Sequence, residues 1–268
     1  MNEIPERLEE LSALLAAWIR AEIEAGGGRG VVFGMSGGID SSVVAALCLR
    51  AFPRHSLGVL MPCHSDPADA DDALMTARHF GLPTATVDLS PVYDVLLVQL
   101  GQTSSELPAH RTAVTNLKPR LRMTTLYAFA NQRDYRVVGT GNRSELAIGY
   151  FTKYGDGGAD LLPLGALTKT EVRELAEHLG VPRRIIDKPP SAGLWDGQTD
   201  EGEMGFTYRE LDAYLLGGGE PPNERVAALV AASGHKRALP KVAPFGKTEP
   251  EPLQGGAGTG TTEPRSDR

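Results

Sequence analysis

Apolar residues recur at helical spacing from the start of the chain. Ile4, Leu8, Leu11, Leu15, Trp18 and Ile19 fall near one face of a helix predicted over 4–25, which Gly26-Gly27-Gly28 stops. The period then changes. VVFGM at 31–35 is a short continuous apolar run of strand type, followed by a Gly/Ser loop and a second helical segment, SSVVAALCLRAF. SLGVLM (56–61), TATVDL (84–89) and YRVVGTG (135–141) repeat the strand pattern. Between them, Asp66-Pro67-Ala68-Asp69 reads as a helix start, with an Asp cap, proline in the first turn and acids near the positive end of the helix. YDVLLVQL begins further helical structure, and 116–134 forms a longer stretch of it. Thr168-Lys169-Thr170-Glu171 has the spacing of a capping box and opens a helix running through Leu179.

Strands alternating with helices at this spacing predict an α/β fold, a doubly wound and mainly parallel sheet with helices on both faces. Ligands in such sheets bind beyond the carboxyl ends of the strands, near the point where strand order reverses. The informative loops are therefore 36–42, 62–66 and 140–160. From Lys236 onward apolar periodicity fades into Pro, Gly and Thr. Residues 1–246 read as one folded domain and 247–268 as a disordered tail. No internal repeat is apparent.

Charge narrows the range of partners. Lys and Arg total 27 against 34 Asp and Glu, a formal balance of −7. That argues against a broad nucleic-acid-binding face, while leaving room for a local basic pocket. The two cysteines, Cys48 and Cys63, form no CxxC pair, so a disulfide framework is not expected and a reducing cytoplasm is the default. No apolar run approaches ~20 residues, and the acidic start lacks the pattern of a signal peptide.

The segment with the most chemistry is Gly34-Met35-Ser36-Gly37-Gly38-Ile39-Asp40-Ser41-Ser42, between a strand and a helix. Adjacent glycines let the backbone turn tightly and aim successive N–H groups at one oxyanion. The serines add hydroxyls, and the following helix points its positive end at the same place. Asp40 repels phosphate directly, so a bridging Mg²⁺ is the reading that accommodates it. Two weaker imitations are set aside. Phe245-Gly246-Lys247-Thr248 ends like a Walker A loop, but Lys241 stands where its first glycine belongs. Gly139-Thr140-Gly141 begins like a dinucleotide fingerprint, but Ser144 replaces its third glycine.

The SGGIDSS stretch resembles the pyrophosphate-binding loop of the ATP pyrophosphatase (PP-loop) superfamily, whose members cleave ATP between the α and β phosphates. Gly139 to Glu145, Tyr150 to Asp160, Leu161-Leu162-Pro163-Leu164, Leu167-Thr168-Lys169, Lys188 to Ala192 and Gly234 to Arg237 together resemble the NAD synthetase family, over about residues 4–240. The resemblance implies an adenine nucleotide alpha hydrolase-like fold and an ammonia-dependent ligase that amidates deamido-NAD through an adenylated intermediate, releasing AMP and pyrophosphate. It assigns Gly34, Met35, Ser36, Gly37, Gly38, Ile39, Asp40, Ser41, Thr140, Lys169 and Ser191 to ATP. Asp40 and Glu145 become ligands of Mg²⁺, and Arg120, Lys153, Asp160, His235 and Lys236 hold deamido-NAD. Asp40 and Lys169 are placed in catalysis, with Asp156 as candidate acceptor of the proton from ammonium. A homodimer sharing the deamido-NAD site is implied, with 107–134 supplying part of the interface. Glutamine-dependent relatives carry an additional amidase domain, for which this chain leaves no room. The rival readings are another adenylating ligase, GMP-synthetase-like or tRNA-modifying, and a non-catalytic nucleotide sensor.

Overall fold

In the computed structural model, residues 3–104, 110–195, 197–217, 221 and 223–241 are described. The chain divides into Met1–Arg237 and Ala238–Arg268, and among the described residues every helix and strand lies in the first unit. The tail expected over 247–268 and the Walker-like segment 245–248 lie outside the described residues.

Helix α1 (Glu3–Ala25) packs through Leu8, Ser12, Ala16, Ile19 and Ile23, whose spacing of three and four sets one face. Trp18, expected on that face, is 40% exposed. One residue before Ile19 means a rotation of about 100°, which carries it off the seam. Strand β1 (Gly30–Gly34) then enters the interior, followed by α2 (Ile39–Ala51), β2 (Ser56–Leu60), α3 (Pro67–Phe80) and the short β3 (Thr84–Thr86). The start of α3 is as its sequence predicts: Asp66 Oδ1 accepts from the Ala68 N–H at 2.9 Å, and Gly81 closes the helix in the left-handed region. After α4 (Ser90–Thr103), α5 (Arg111–Thr115) and α6 (Leu117–Arg133), the chain crosses back to form β4 (Tyr135–Val137).

All strand pairings are parallel, in the order β3-β2-β1-β4. The order reverses between β1 and β4, which places the crevice beyond their carboxyl ends. Alternate β1 residues serve opposite layers. Val31, Phe33 and Met35 join α1, α2 and α8 (Lys169–His178) in one core. Val32 joins Leu57, Val59, Val137 and residues of α4 and α6 in the other. Both faces are thus covered, the arrangement that alternation of strand and helix predicts. Complete burial of Phe33 stabilises the fold by roughly 1.5–3 kcal/mol.

The strands end sooner than their apolar runs. The run expected through 141 is strand only to Val137; the Val138 N–H still donates to the Val32 carbonyl of β1 at 2.9 Å, and Val138 also bridges in parallel to Leu161. A third cluster, Ile148, Met204, Phe206, Tyr208, Leu211 and Val226, unites α7 (Arg143–Ile148), α10 (Asp200–Met204), α11 (Tyr208–Gly217) and α12 (Glu224–Ala232) beside the crevice. Between α8 and α10 lies the short α9 (Arg183–Ile186). Among the described residues, no helix is long and apolar enough to cross a membrane.

Candidate active site

The crevice opens into a cavity of about 700 Å³, walled by the β1–α2 loop, the β2–α3 loop, the segment after β4, residues 188–194, Gln198 and Asp200. Gly37 turns the first of these loops with φ +77°, and a Cβ there would lie 2.3 Å from the Asp69 carbonyl oxygen. Ser36 Oγ and Ser41 Oγ lie 3.1 Å apart, and Ser41 also donates to the Gly38 carbonyl at 3.0 Å. The loop is therefore a preformed cradle. Ser42, read as a further donor to ligand, is fully buried. It bonds to the Gly38 carbonyl at 2.9 Å and contacts Thr76 at 3.4 Å, so its hydroxyl stays inside the fold.

Across the crevice, Asn142 caps α7. Its Oδ1 accepts from the Glu145 N–H at 3.0 Å, while Glu145 Oε2 accepts from the Asn142 N–H at 3.2 Å, a reciprocal capping box. The amide nitrogen of Asn142 donates to Asp40 Oδ1 at 2.9 Å, tying the cap to the phosphate loop. Lys169, first residue of α8, sends its ammonium between the acids, 2.5 Å from Asp40 Oδ2 and 3.1 Å from Glu145 Oε1. Burial, reinforced by the neighbouring Asp40, pushes Glu145 up to about 7 against the opposing pull of Lys169. Burial disfavours the charge on Lys169 too, but the two carboxylates outweigh it and hold its pKa above the ordinary lysine range.

The position of Lys169 is set from behind. Its N–H donates to Ser144 Oγ at 3.0 Å, Ser144 donates to Asp212 Oδ1 at 2.5 Å, and Thr170 reaches Asp212 Oδ2 through both its N–H (2.8 Å) and its hydroxyl (2.6 Å). Asp212, on α11, is buried, so the third cluster fixes the start of α8.

Asp156 lines the cavity, its side chain exposed there although protein surrounds it. The surrounding protein raises its pKa, opposed by hydrogen bonding and by Lys236 and Arg122. Its Oδ1 accepts from the Thr152 N–H at 2.9 Å, which closes the turn through Gly155, Gly157 and Gly158. Lys236 donates to the carbonyls of Gly149 (2.7 Å) and Phe151 (2.8 Å), and burial lowers its pKa.

The cavity gathers most residues expected to meet ATP, metal or ammonium: Gly34, Met35, Ser36, Gly38, Ile39, Asp40, Ser41, Thr140, Glu145, Asp156, Lys169 and Ser191, together with Lys236. It does not gather Arg120, Lys153, Asp160 or His235. Arg120 and His235 are exposed. Lys153 donates to the His235 carbonyl at 2.5 Å, and Asp160 accepts from the Val137 N–H (2.7 Å) and the Tyr127 hydroxyl (3.0 Å).

Sequence reasoning missed several lining or supporting groups. Asn142 stood in view as Asn-Xaa-Xaa-Glu, a helix-start signal overlooked beside Gly139-Thr140-Gly141. Arg122 lines the cavity and holds the β2–α3 loop through the Met61 carbonyl and Ser65 Oγ, each at 3.1 Å. Asp200 is 4% exposed and accepts from Tyr208 at 2.9 Å, while its Oδ1 meets no hydrogen-bond partner among the described residues. Nothing local in the sequence marks these last two.

A glycine-turned phosphate cradle at the switch point of a parallel sheet, faced by paired acids around one lysine, defines a nucleotide-using α/β enzyme. The NAD synthase family model matches residues 11–240, and the chain belongs to that family. It is 51% identical over 236 residues to the NH(3)-dependent NAD(+) synthetase of Carboxydothermus hydrogenoformans, covering 87% of this chain and 97% of that one. Among solved structures, it is similar to the NMN synthetase of Francisella tularensis, at 38% identity with a TM-score of 0.84, covering 89% of this chain and 99% of that one. The NAD+ synthetase of Burkholderia pseudomallei has 31% identity and a TM-score of 0.70, covering 89% and 96%.

Proposed function

We infer that this chain amidates the nicotinate carboxylate of deamido-NAD with ammonia, at the expense of ATP, giving NAD, AMP and pyrophosphate. The observation that carries this reading is the single cavity joining the phosphate cradle, the Asp40–Lys169–Glu145 cluster and Asp156. The nicotinate carboxylate oxygen attacks the α-phosphorus, and the bond to the bridging oxygen breaks with its electron pair leaving on pyrophosphate. Ammonia then attacks the acyl adenylate, and AMP departs. This chain's residues contribute orientation and charge. Ser36, Gly38 and Ser41 cradle phosphate, Lys169 faces developing negative charge, and Asp156 accepts the proton from ammonium.

Mg²⁺ suits the donors present. Asp40 and Glu145 converge on one ammonium, and two carboxylates beside substrate phosphates are the usual set for this cation. Asp40 and Glu145 would hold it, and when bound it would offset the negative charge of the phosphates. Arg120, Lys153, Asp160 and His235, outside the cavity, are proposed with Lys236 to hold deamido-NAD across a homodimer two-fold. Val92, Val95 and Val98 support that dimer, being 52%, 62% and 57% exposed on α4, which packs beside the helix carrying Arg120. The synthetase domain is taken as 1–246, with 247–268 a tail, and the site of action as the cytoplasm.

Likeness to an NMN synthetase favours a second acceptor, nicotinate mononucleotide, which carries the same carboxylate on a shorter molecule. One assay separates the readings. Pyrophosphate release from ATP is measured with ammonium and either deamido-NAD, nicotinate mononucleotide or neither. Release that depends on deamido-NAD is expected. Preference for the mononucleotide selects the second reading, and release with neither overturns both.

A further inference from the structure

The phosphate cradle is backed by a second charged cluster that the reaction described so far does not use. Lys188 Nζ lies 2.8 Å from Asp69 Oδ1 and 2.7 Å from Asp72 Oδ2. Asp72, nearly buried, also lies 2.8 Å from Arg184 Nε through its other oxygen, an ion pair whose angle does not make a hydrogen bond. Two cations thus face two carboxylates, and Asp72 keeps a partner whatever Lys188 does. Asp69 differs, because its side chain is about one-third exposed and opens onto the cavity. Its backbone abuts the cradle, since the Asp69 carbonyl oxygen is the atom that bars a side chain at Gly37. Lys188, Asp69, Ser36, Gly38 and Ser191 all line the cavity. The ammonium has three N–H groups, and the two carboxylates take two of them.

We propose that Lys188 is the cation that meets the departing pyrophosphate, with Asp69 as the carboxylate it leaves or shares when that charge arrives. The inference rests on the adenylating reaction proposed above. Breaking the bond between the α-phosphorus and its bridging oxygen puts an electron pair on pyrophosphate. Lys169 sits within the Asp40–Glu145 pair, and Lys188, held the same way by Asp69 and Asp72 and with a third N–H to give, is a second cation in the same cavity. Burial works against charge on Lys188, and Asp69 and Asp72 outweigh it, so the ammonium is kept ready for an anion. Asp72 and Arg184 fix the root of this arrangement and Asp69 sets how firmly pyrophosphate is held.

Two substitutions move the same quantity in opposite directions. Inhibition by added pyrophosphate, and isotope exchange from labelled pyrophosphate into ATP without ammonium, are measured in the full chain with deamido-NAD present. Lys188→Gln is expected to weaken pyrophosphate inhibition and slow exchange by roughly 10–100-fold, the range of one lost charge-assisted hydrogen bond. Asp69→Asn removes the competing carboxylate while leaving Asp72 with Arg184, and is expected to tighten pyrophosphate inhibition. The ammonium requirement should be unchanged in both. If Lys188→Gln fails to fold, Asp69→Asn decides alone. An inhibition constant unmoved or weakened by Asp69→Asn overturns the proposal. Exchange in the unsubstituted protein distinguishes this outcome from failure of the reaction itself, which would abolish exchange altogether.

Discussion

Glu145 has two duties that a substitution can separate. One oxygen caps α7 through the Asn142 N–H, and the other faces Lys169 in the cavity. Glutamine serves equally in a capping box but carries no charge. Glu145→Gln is therefore expected to keep its melting temperature within about 2–4 °C, the shift that about 1 kcal/mol causes at this size. Turnover with Mg-ATP should fall roughly 10²–10³-fold, as for loss of one preorganised electrostatic contact, and Asp40→Ala should fall comparably. A Glu145→Gln protein, folded by circular dichroism, that keeps most of its activity would remove Glu145 from the metal side. Asp156 supplies the pH test. Its pKa is raised in the fold, so as pH rises from the ordinary carboxylate range through the folded value, the native protein holds its proton longer than the unfolded chain. Stability is lost across that window, while the base needed for ammonium appears. Asp156→Asn should melt higher than the parent at neutral pH, show no such gain below the ordinary carboxylate range, and lose the acid limb of the rate profile. A penalty equal at both pH values would show that Asp156 matters only through the Thr152 turn.

At the scale of elements, the phosphate loop depends on a backbone shape that one methyl group destroys. Gly37 and Gly81 both sit at positive φ, +77° and +66°, so alanine costs each about 1–2 kcal/mol of conformational strain. A Cβ at Gly81 meets nothing within 4 Å, whereas at Gly37 it strikes the Asp69 carbonyl. Gly81→Ala should lower the melting temperature modestly and leave ATP kinetics intact, and Gly37→Ala should lower both stability and ATP affinity. Equal kinetics in the two variants would disprove a rigid cradle. That loop was legible because its chemistry is local: glycines, serines and Asp40 are contiguous between a strand and a helix. The helix starts at Asp66 and Thr168 were legible for the same reason. Strand ends were not, since the apolar run continues through Val138 while the backbone turns its next N–H, that of Gly139, from β1 to the Leu161 carbonyl. Trp18 misled because a large apolar residue outweighs a one-step error in phase. The support of Lys169 was invisible in advance, because Asp212 holds the neighbouring Thr170 from 42 residues away along the chain, through a cluster with no motif of its own.

At the scale of the whole molecule, the nitrogen source follows from what the chain's thiols can do. A glutaminase needs a nucleophilic cysteine, open to solvent and easily ionised. This chain has two cysteines, and both are fully buried. Cys48 packs in α2 within the larger core, and burial alone drives its pKa well above the ordinary thiol range. Cys63 follows β2 on the opposite face, and burial raises it too, with Arg122 and Lys118 opposing only in part. Neither thiol can attack an amide from where it stands, so these cysteines are not expected to draw nitrogen from glutamine. The cavity suits ammonia instead, since Asp156 faces it with a raised pKa and can take a proton once ionised. The purified chain is therefore expected to use ammonium directly and glutamine hardly at all. Neutral ammonia is the nucleophile, so the total ammonium required should fall about tenfold for each unit of rising pH until other groups titrate. Initial rates of NAD formation, measured against ammonium and against glutamine across that range, test both statements. Steady release of glutamate by the isolated chain would overturn the assignment, because it would require a nucleophile that neither buried thiol supplies. Glutamine use that appears only when a second protein is added would instead place the amidase on that partner, with ammonia passed between them.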